Sequence, residues 1–305
     1  MNEVTKKPSV TIGPVTLAVF LSLVSLVFFD FMGLVIKRLS YDYTAAELSA
    51  YRNIFGLLPS VIALWLSPNW RQGDRKLKVR QWGLICARGL IVTLAQLMFY
   101  LSLGLIAFAS ATTISYSSGL FMTAFAVILL RERVGFIRWG AVLVGFVGVV
   151  LVMGPGRETF TLSSFLPVGA AALYALTGVT ARLIDKSVSS ALVNLYSTGV
   201  AVLGSVALAF MLDGFSPIKS ATDLAWIVAM GTFGGIAVLL LTVSFRMAEQ
   251  SSLAPFSYFG IPMAFFFGWI FFGETPIQDL FPGSILIVLG GLFIILRERQ
   301  LKTSS

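Results

Sequence analysis

The chain has no histidine and one cysteine, and only 12% of its 305 residues are charged. Without histidine it lacks the commonest general base and the commonest metal ligand. Cys86 alone can make neither an intrachain disulfide nor a cysteine metal cluster, and it reads as a small apolar residue in a helix. No Asp-rich motif and no nucleophile–base pairing stands out. A membrane-embedded transferase is therefore only a remote alternative, the chain is not expected to be an enzyme, and neither a cofactor nor a metal is expected. Long polar connections are also missing, which leaves no room for a soluble output domain. What is abundant is apolar: 57% of the residues are hydrophobic. Soluble domains carry about 25% charged residues. Apolar runs of about 20 residues, each able to cross the bilayer as a helix, recur along the whole chain.

These runs predict an all-α polytopic membrane protein with ten spans, at about 15–36, 45–66, 82–102, 107–130, 136–153, 163–183, 191–212, 223–245, 250–272 and 280–296. Two lysines precede the first run in "MNEVTKKPSVTIGP", and no small-residue cleavage site follows it, so it reads as a span and not a removed signal. The net charge of +8 reads as topology, not as nucleic-acid binding, because basic residues cluster beside the spans. Place the N-terminus in the cytoplasm. Then Lys6, Lys7, Arg71, Arg75, Lys76, Lys78, Arg80, Arg131, Arg133, Arg138, Arg182, Lys186, Arg246, Arg297, Arg299 and Lys302 are cytoplasmic, and only Lys37, Arg38, Arg157 and Lys219 are opposite. This bias predicts both termini inside, in the inner (plasma) membrane.

An internal match appears at an offset of 142 residues, which carries Tyr116 onto Tyr258. "SATTISYSS" then lies on "SLAPFSYFG", Phe125 on Phe267, Ile128 on Ile270, Glu132 on Glu274, Gly148 on Gly290, and Arg52 on Asn194. The expected organisation is a tail (1–14), a first five-helix repeat (15–153), a second (163–296) and a tail (297–305). Five is odd, so the halves must enter the membrane from opposite sides. That is the inverted-repeat plan of secondary transporters, with substrate bound near the midplane.

Two segments carry a family resemblance. "SGLFMTAFAVILLRERV" (118–134) and "GIPMAFFFGWIFFGETP" (260–276) resemble the closing segments of the two halves in EamA-type members of the drug/metabolite transporter superfamily. "ELSAYRNIFGLLPSVIALWL", with Arg52, is similar to that family's second helix. The chain departs from the pattern where Gly119 or Leu120 replaces a proline, where Arg131 replaces the glycine before Glu132, and where Phe28 or Phe29 stands for a tryptophan. These departures bear on substrate more than on fold. The resemblance implies a ten-helix exporter of small metabolites, many members moving aromatic and other amino acids, with the path among spans 1, 3, 4, 6, 8 and 9. Rivals on the same plan are carriers of nucleotide sugars, organic phosphates or drug-like cations. Phosphate carriers should point lysines or arginines into the path, and here only Arg52 and Arg88 could serve.

The hydroxyl-rich stretch "ASATTISYSSGLF" marks the fourth span: seven of the nine residues from Ser110 to Ser118 carry a hydroxyl. Thr112, Tyr116, Gly119 and Thr123 share one helical face, which is expected to line a cavity. In the ninth span Pro255 and Pro262 free the carbonyls of Ser251 and Tyr258, and Tyr258 with Phe259 is expected to face the same path. Gln96 and Tyr100, Tyr174 and Thr177, and Thr242 complete the candidate substrate contacts. Asp30, Arg52 and Arg88 are charges inside spans and are functional candidates. An Asp30–Arg52 ion pair would serve as a lock, and Arg88 would snorkel as an anchor. A site rich in Tyr, Phe, Thr and Gln suits a zwitterion such as an amino acid. The glycines of the fifth, eighth and tenth spans suit close helix packing, and a monomer in the lipid bilayer is the favoured state.

Overall fold

A computed structural model describes residues 14–66, 81–131, 135–155, 161–181, 183–184, 190–212, 214–247, 253 and 256–303. Among them there is no strand. The helices are α1 (Pro14–Leu39), α2 (Ala45–Leu66), α3 (Trp82–Leu105), α4 (Phe108–Ser115), α5 (Ser118–Leu130), α6 (Phe136–Met153), α7 (Phe165–Ala181), α8 (Ser190–Leu212), α9 (Ala221–Met247), α10 (Gly260–Phe272), α11 (Ile277–Leu280) and α12 (Gly283–Thr303). Taking α4 and α5 as one interrupted rod and setting α11 aside, the described residues form ten rods. Six apolar stretches are long enough to cross a membrane by length and composition: Val15–Leu39, Trp82–Leu105, Phe108–Leu130, Leu162–Thr180, Leu192–Leu212 and Ala221–Leu241.

Local chemistry explains where the rods start and stop. Thr44 and Glu47 form a capping box at the start of α2: Thr44 N–H donates to Glu47 Oε2 at 2.7 Å, and Glu47 N–H to Thr44 Oγ1 at 3.3 Å. α5 ends on Arg131 (φ 54°) and α10 on Gly273 (φ 64°), both left-handed. These two caps are 142 residues apart, as are the two helices they close.

The break between α4 and α5 falls at Tyr116 and Ser117. Tyr116 N–H is shared between the carbonyls of Thr112 and Thr113, each at 3.2 Å, and Ser117 N–H reaches Ile114 O at 3.0 Å. The helix thus tightens to three-residue bonds for one turn. Hydroxyls compete for the carbonyls here, since Ser115 Oγ donates to Ala111 O at 3.0 Å. The equivalent turn stands before α10. Phe259 N–H donates to Phe256 O, and Ile261 N–H to Tyr258 O, both at 3.1 Å. Pro262 has no N–H for the Tyr258 carbonyl, and Ile261 takes its place. Pro255 lies outside the described residues.

The packing has a regular exchange. α1 packs on α9 and α7 on α3; α2 on α9 and α8 on α3; α10 on α1 and α5 on α7. Exchanging each rod with the one five places along the chain turns each of these pairs into its mate. α2–α8, α4–α10 and α6–α12 map onto themselves. Ser244 Oγ donates to Ala18 O at 2.6 Å, while Tyr43, beyond the other end of α1, donates to Asp223 at the start of α9 at 3.0 Å. A β-carbon on Gly283 would meet Val152, and one on Gly290 would meet Ala141, so α12 runs antiparallel to α6. Pro14 and Thr303 therefore lie at the same end of the bundle.

Candidate functional site

The two helix breaks face each other, and each presents a tyrosine. The rings of Tyr116 and Tyr258 have centroids 6.4 Å apart and planes 49° apart. Tyr116 crosses to the first residue of α10, where its phenol fills the space beside Gly260. Tyr258 crosses the other way: a β-carbon on Gly119 would stand 3.5 Å from its Oη. The Tyr258 ring also abuts Gly291 of α12. Three of the expected site residues, Tyr116, Tyr258 and Gly119, thus meet at one point between α4–α5 and α10. Thr112, with Thr113 and Ser117, is buried nearby, and the hydroxyl oxygens of all three have no partner among the described residues. Phe259 behaves differently from its neighbour, with 59% of it exposed against 8% for Tyr258. Beside Tyr258, an open cleft of about 190 Å³ runs between α10 and α12, lined by Ile261, Pro262, Ser284 and Val288 among others.

A second group gathers around Arg52 of α2. Nη1 of Arg52 donates to Asn53 Oδ1 at 3.1 Å and Nη2 to Gly234 O at 3.5 Å, while Nε is buried without a partner. Tyr100 and Tyr174, both expected in the path, lie within electrostatic reach of this guanidinium. Asp30 is only 4% exposed, and its Oδ2 has no partner. It lies within electrostatic reach of Tyr116, and among the described residues no ion pair joins it to Arg52. The anticipated Asp30–Arg52 ion pair is thus not formed. Similar depth in the bundle did not bring the two helix faces together.

Gln96 is committed to a polar knot. Its Oε1 accepts from Asn53 Nδ2 at 2.8 Å and from Ser49 Oγ at 3.3 Å, and Asn53 Nδ2 also reaches Ser205 Oγ at 3.3 Å. Arg88 does not snorkel outward. Its Nε donates to Thr177 O at 3.2 Å and Nη1 to Ser197 Oγ at 3.4 Å, so it ties α3 to α7 and α8. The Thr177 hydroxyl turns back to its own helix, donating to Tyr174 O at 2.7 Å. The Thr242 side chain and Glu132 lie outside the described residues. Among the described residues no cluster of three or more Cys, Asp or Glu is placed to hold a metal ion.

The model of the EamA-like transporter family matches residues 16–154 and again residues 161–296. The chain belongs to the EamA-like transporter family. The similar curated proteins include an S-adenosylmethionine uptake transporter of Rickettsia bellii, 28% identical over 305 residues and covering 98% of each chain. A riboflavin transporter of Vibrio cholerae is 29% identical over 178 residues, 58% of this chain and 59% of the relative. Human solute carrier family 35 member G1 is 25% identical, over 92% of this chain and 80% of its own. A solved structure described only as a crystal structure of a protein superposes with a TM-score of 0.65 at 18% identity, covering 93% of this chain and 98% of the other, and speaks to the fold alone.

In this EamA-family chain, sequence reasoning passed over the ties at the bundle end away from the termini. Lys37 reads as a loop charge but is buried in the last turn of α1, where its Nζ pairs with Glu274 Oε1 at 2.7 Å. Glu47, not singled out in the sequence, caps α2 with one oxygen, and its second oxygen accepts the backbone N–H of Ser216 across the halves. One signal was available. Lys37 is among the few basic residues on the basic-poor side of the expected topology.

Proposed function

We propose that this protein is a secondary transporter of small metabolites bearing an amino-acid group, working by alternating access between two inverted five-helix halves in the inner membrane. The observation that carries the proposal is the meeting of Tyr116 and Tyr258 at matching helix breaks. The exchange of packing partners five rods apart and the double family match support the two-half plan. Interrupted helices at a repeat interface are the usual place for a substrate site.

The charges favour the substrate class. Asp30, within electrostatic reach of Tyr116 and with Oδ2 unpartnered, is a buried acidic side chain suited to a cationic group. Arg52, beside Tyr100 and Tyr174, offers a guanidinium suited to a carboxylate. Free amino acids carry both groups, and S-adenosylmethionine carries both with a sulfonium and an adenine ring. Riboflavin carries neither charge. Phosphate carriers would need more cations than Arg52 and Arg88 supply. The sequence resemblance implies export and one relative is named for uptake. A carrier without a driving ion runs down whichever gradient the cell maintains, so direction follows from that gradient.

The test is counterflow in liposomes holding the purified protein, with labelled S-adenosylmethionine, aromatic amino acids and riboflavin. Exchange of the first two, lost in Asp30→Asn and Arg52→Gln, is expected. Riboflavin exchange with no flux of amino-acid compounds above empty vesicles would overturn the class.

A further inference from the structure

We infer that Lys37 and Glu274 form the gate at the bundle end away from the termini, and that this gate makes closure of that end the favoured resting state. The inference rests on the two-half reading above, but not on the identity of the substrate.

The geometry is that of a three-way tie. Lys37 Nζ is 2.7 Å from Glu274 Oε1, donates to Ile106 O at 2.8 Å, and lies 5.3 Å from the centre of the Phe272 ring. Glu274 Oε2 accepts the backbone N–H of Phe108 at 2.7 Å, the first residue of α4. Phe108 and Phe272 pack with ring centres 6.4 Å apart. One ion pair thus joins the end of α1, the α3–α4 joint and the loop after α10, and both charges are held by further partners. α4 and α10 are the helices that carry Tyr116 and Tyr258 to each other. They cannot part at this end while Glu274 holds both Lys37 and Phe108.

The rest of the same end points the same way. Lys219 pairs with Asp42 at 2.7 Å, Lys219 N–H donates to Tyr43 Oη at 3.0 Å, and Tyr43 donates to Asp223. The sequence adds an asymmetry. The offset that carries Glu132 onto Glu274 carries Lys37 onto Val179. The lysine is therefore not repeated at the matching position of the second half. A tie that holds this end shut biases the two-state equilibrium toward closure there.

Thiol labelling of purified protein in detergent tests this in a Cys86→Ala background. The reporter is Ala111→Cys, fully buried on α4 near the tie; the control is Val149→Cys, buried in the α6–α12 seam. Glu274→Gln, which can still accept from Phe108, should raise the reporter's labelling rate about tenfold or more and leave the control unchanged. Lys37→Met with Glu274→Gln leaves no unpaired buried charge and should do the same, which covers the case where the single variant folds poorly. Unchanged reporter labelling in both variants, or an equal rise at reporter and control, would overturn the gate. Labelling needs no substrate, so a failed transport panel with a responsive reporter would sink the substrate class and leave the gate standing.

Discussion

The phenol of Tyr116 fills the space that a β-carbon on Gly260 would need. Gly260 is the first residue of α10, so one hydrogen atom there decides whether the two breaks can meet. In Gly260→Ala the methyl group must push the ring aside, away from Tyr258. Overpacking of this kind costs about 1–3 kcal/mol. We expect a lower thermal midpoint in detergent and reduced counterflow. Tyr116→Ala combined with Gly260→Ala should cost less than the two changes summed, because the clash has gone. An additive double variant would show that the two residues do not meet.

Arg131 closes α5 with φ 54°, where the equivalent Gly273 closes α10 with φ 64°. A left-handed conformation costs an L-residue about 1–2 kcal/mol, and glycine adopts it freely. Arg131 is exposed and at a helix end, so replacing it removes no core packing. Arg131→Gly should therefore stabilise the protein by about 0.5–1 kcal/mol after glycine's larger entropy loss. The reverse change, Gly273→Arg, should destabilise it. Thermal unfolding measures both, and a drop in midpoint for Arg131→Gly would sink the argument.

The offset of 142 residues was the most legible feature, because it depends only on residue order. It carries the break at Tyr116–Ser117 onto Tyr258–Phe259 and α5 onto α10, end to end. The pairing of the two tyrosines followed from it. Rotation about a helix axis was less legible. Phe259 follows Tyr258 by one residue and points elsewhere, because successive side chains on a helix lie about 100° apart. Contacts between distant segments were least legible. Nothing local links Lys37 to Glu274, or Gln96 to Asn53. Depth along a span is readable from charge, but which faces turn toward each other is set by packing. That is why Asp30 and Arg52, at like depth, do not pair.

The exposed Asp42–Lys219 pair sets a pH dependence that can be worked out. Its hydrogen bond to Lys219 holds the Asp42 carboxyl below the usual carboxylate range, and the same bond raises Lys219 above the usual lysine range. A depressed carboxylate contributes stability that is present above about pH 4 and is lost as pH falls through its lower folded value. A raised lysine contributes stability that is present below about pH 10 and is lost as pH rises through its higher folded value. Between these limits the pair should give no slope. We expect melting curves of wild type and Asp42→Asn to differ by a small constant from about pH 5 to 9 and to converge in acid. A difference that instead grew on acidification would contradict the assignment.

Gln96 separates structure from transport. It was expected to touch substrate, yet its carbonyl is occupied by Asn53 and Ser49, and both of these residues are buried. Gln96→Leu removes the acceptor without leaving a large void. The Asn53 amide then keeps only its longer contacts, to Ala201 O at 3.4 Å and Ser205 Oγ at 3.3 Å. Leaving a buried donor poorly satisfied costs about 1–3 kcal/mol. If the knot is structural, Gln96→Leu should lower the thermal midpoint while counterflow per folded molecule, and its half-saturation, stay within about twofold, well under the tenfold that 1.4 kcal/mol of lost binding would give. If Gln96 instead binds substrate, the midpoint should hold and half-saturation should rise about tenfold or more. Asn53→Leu alone should destabilise similarly, and the Gln96→Leu/Asn53→Leu double variant should recover part of the loss, because neither partner is then left without the other.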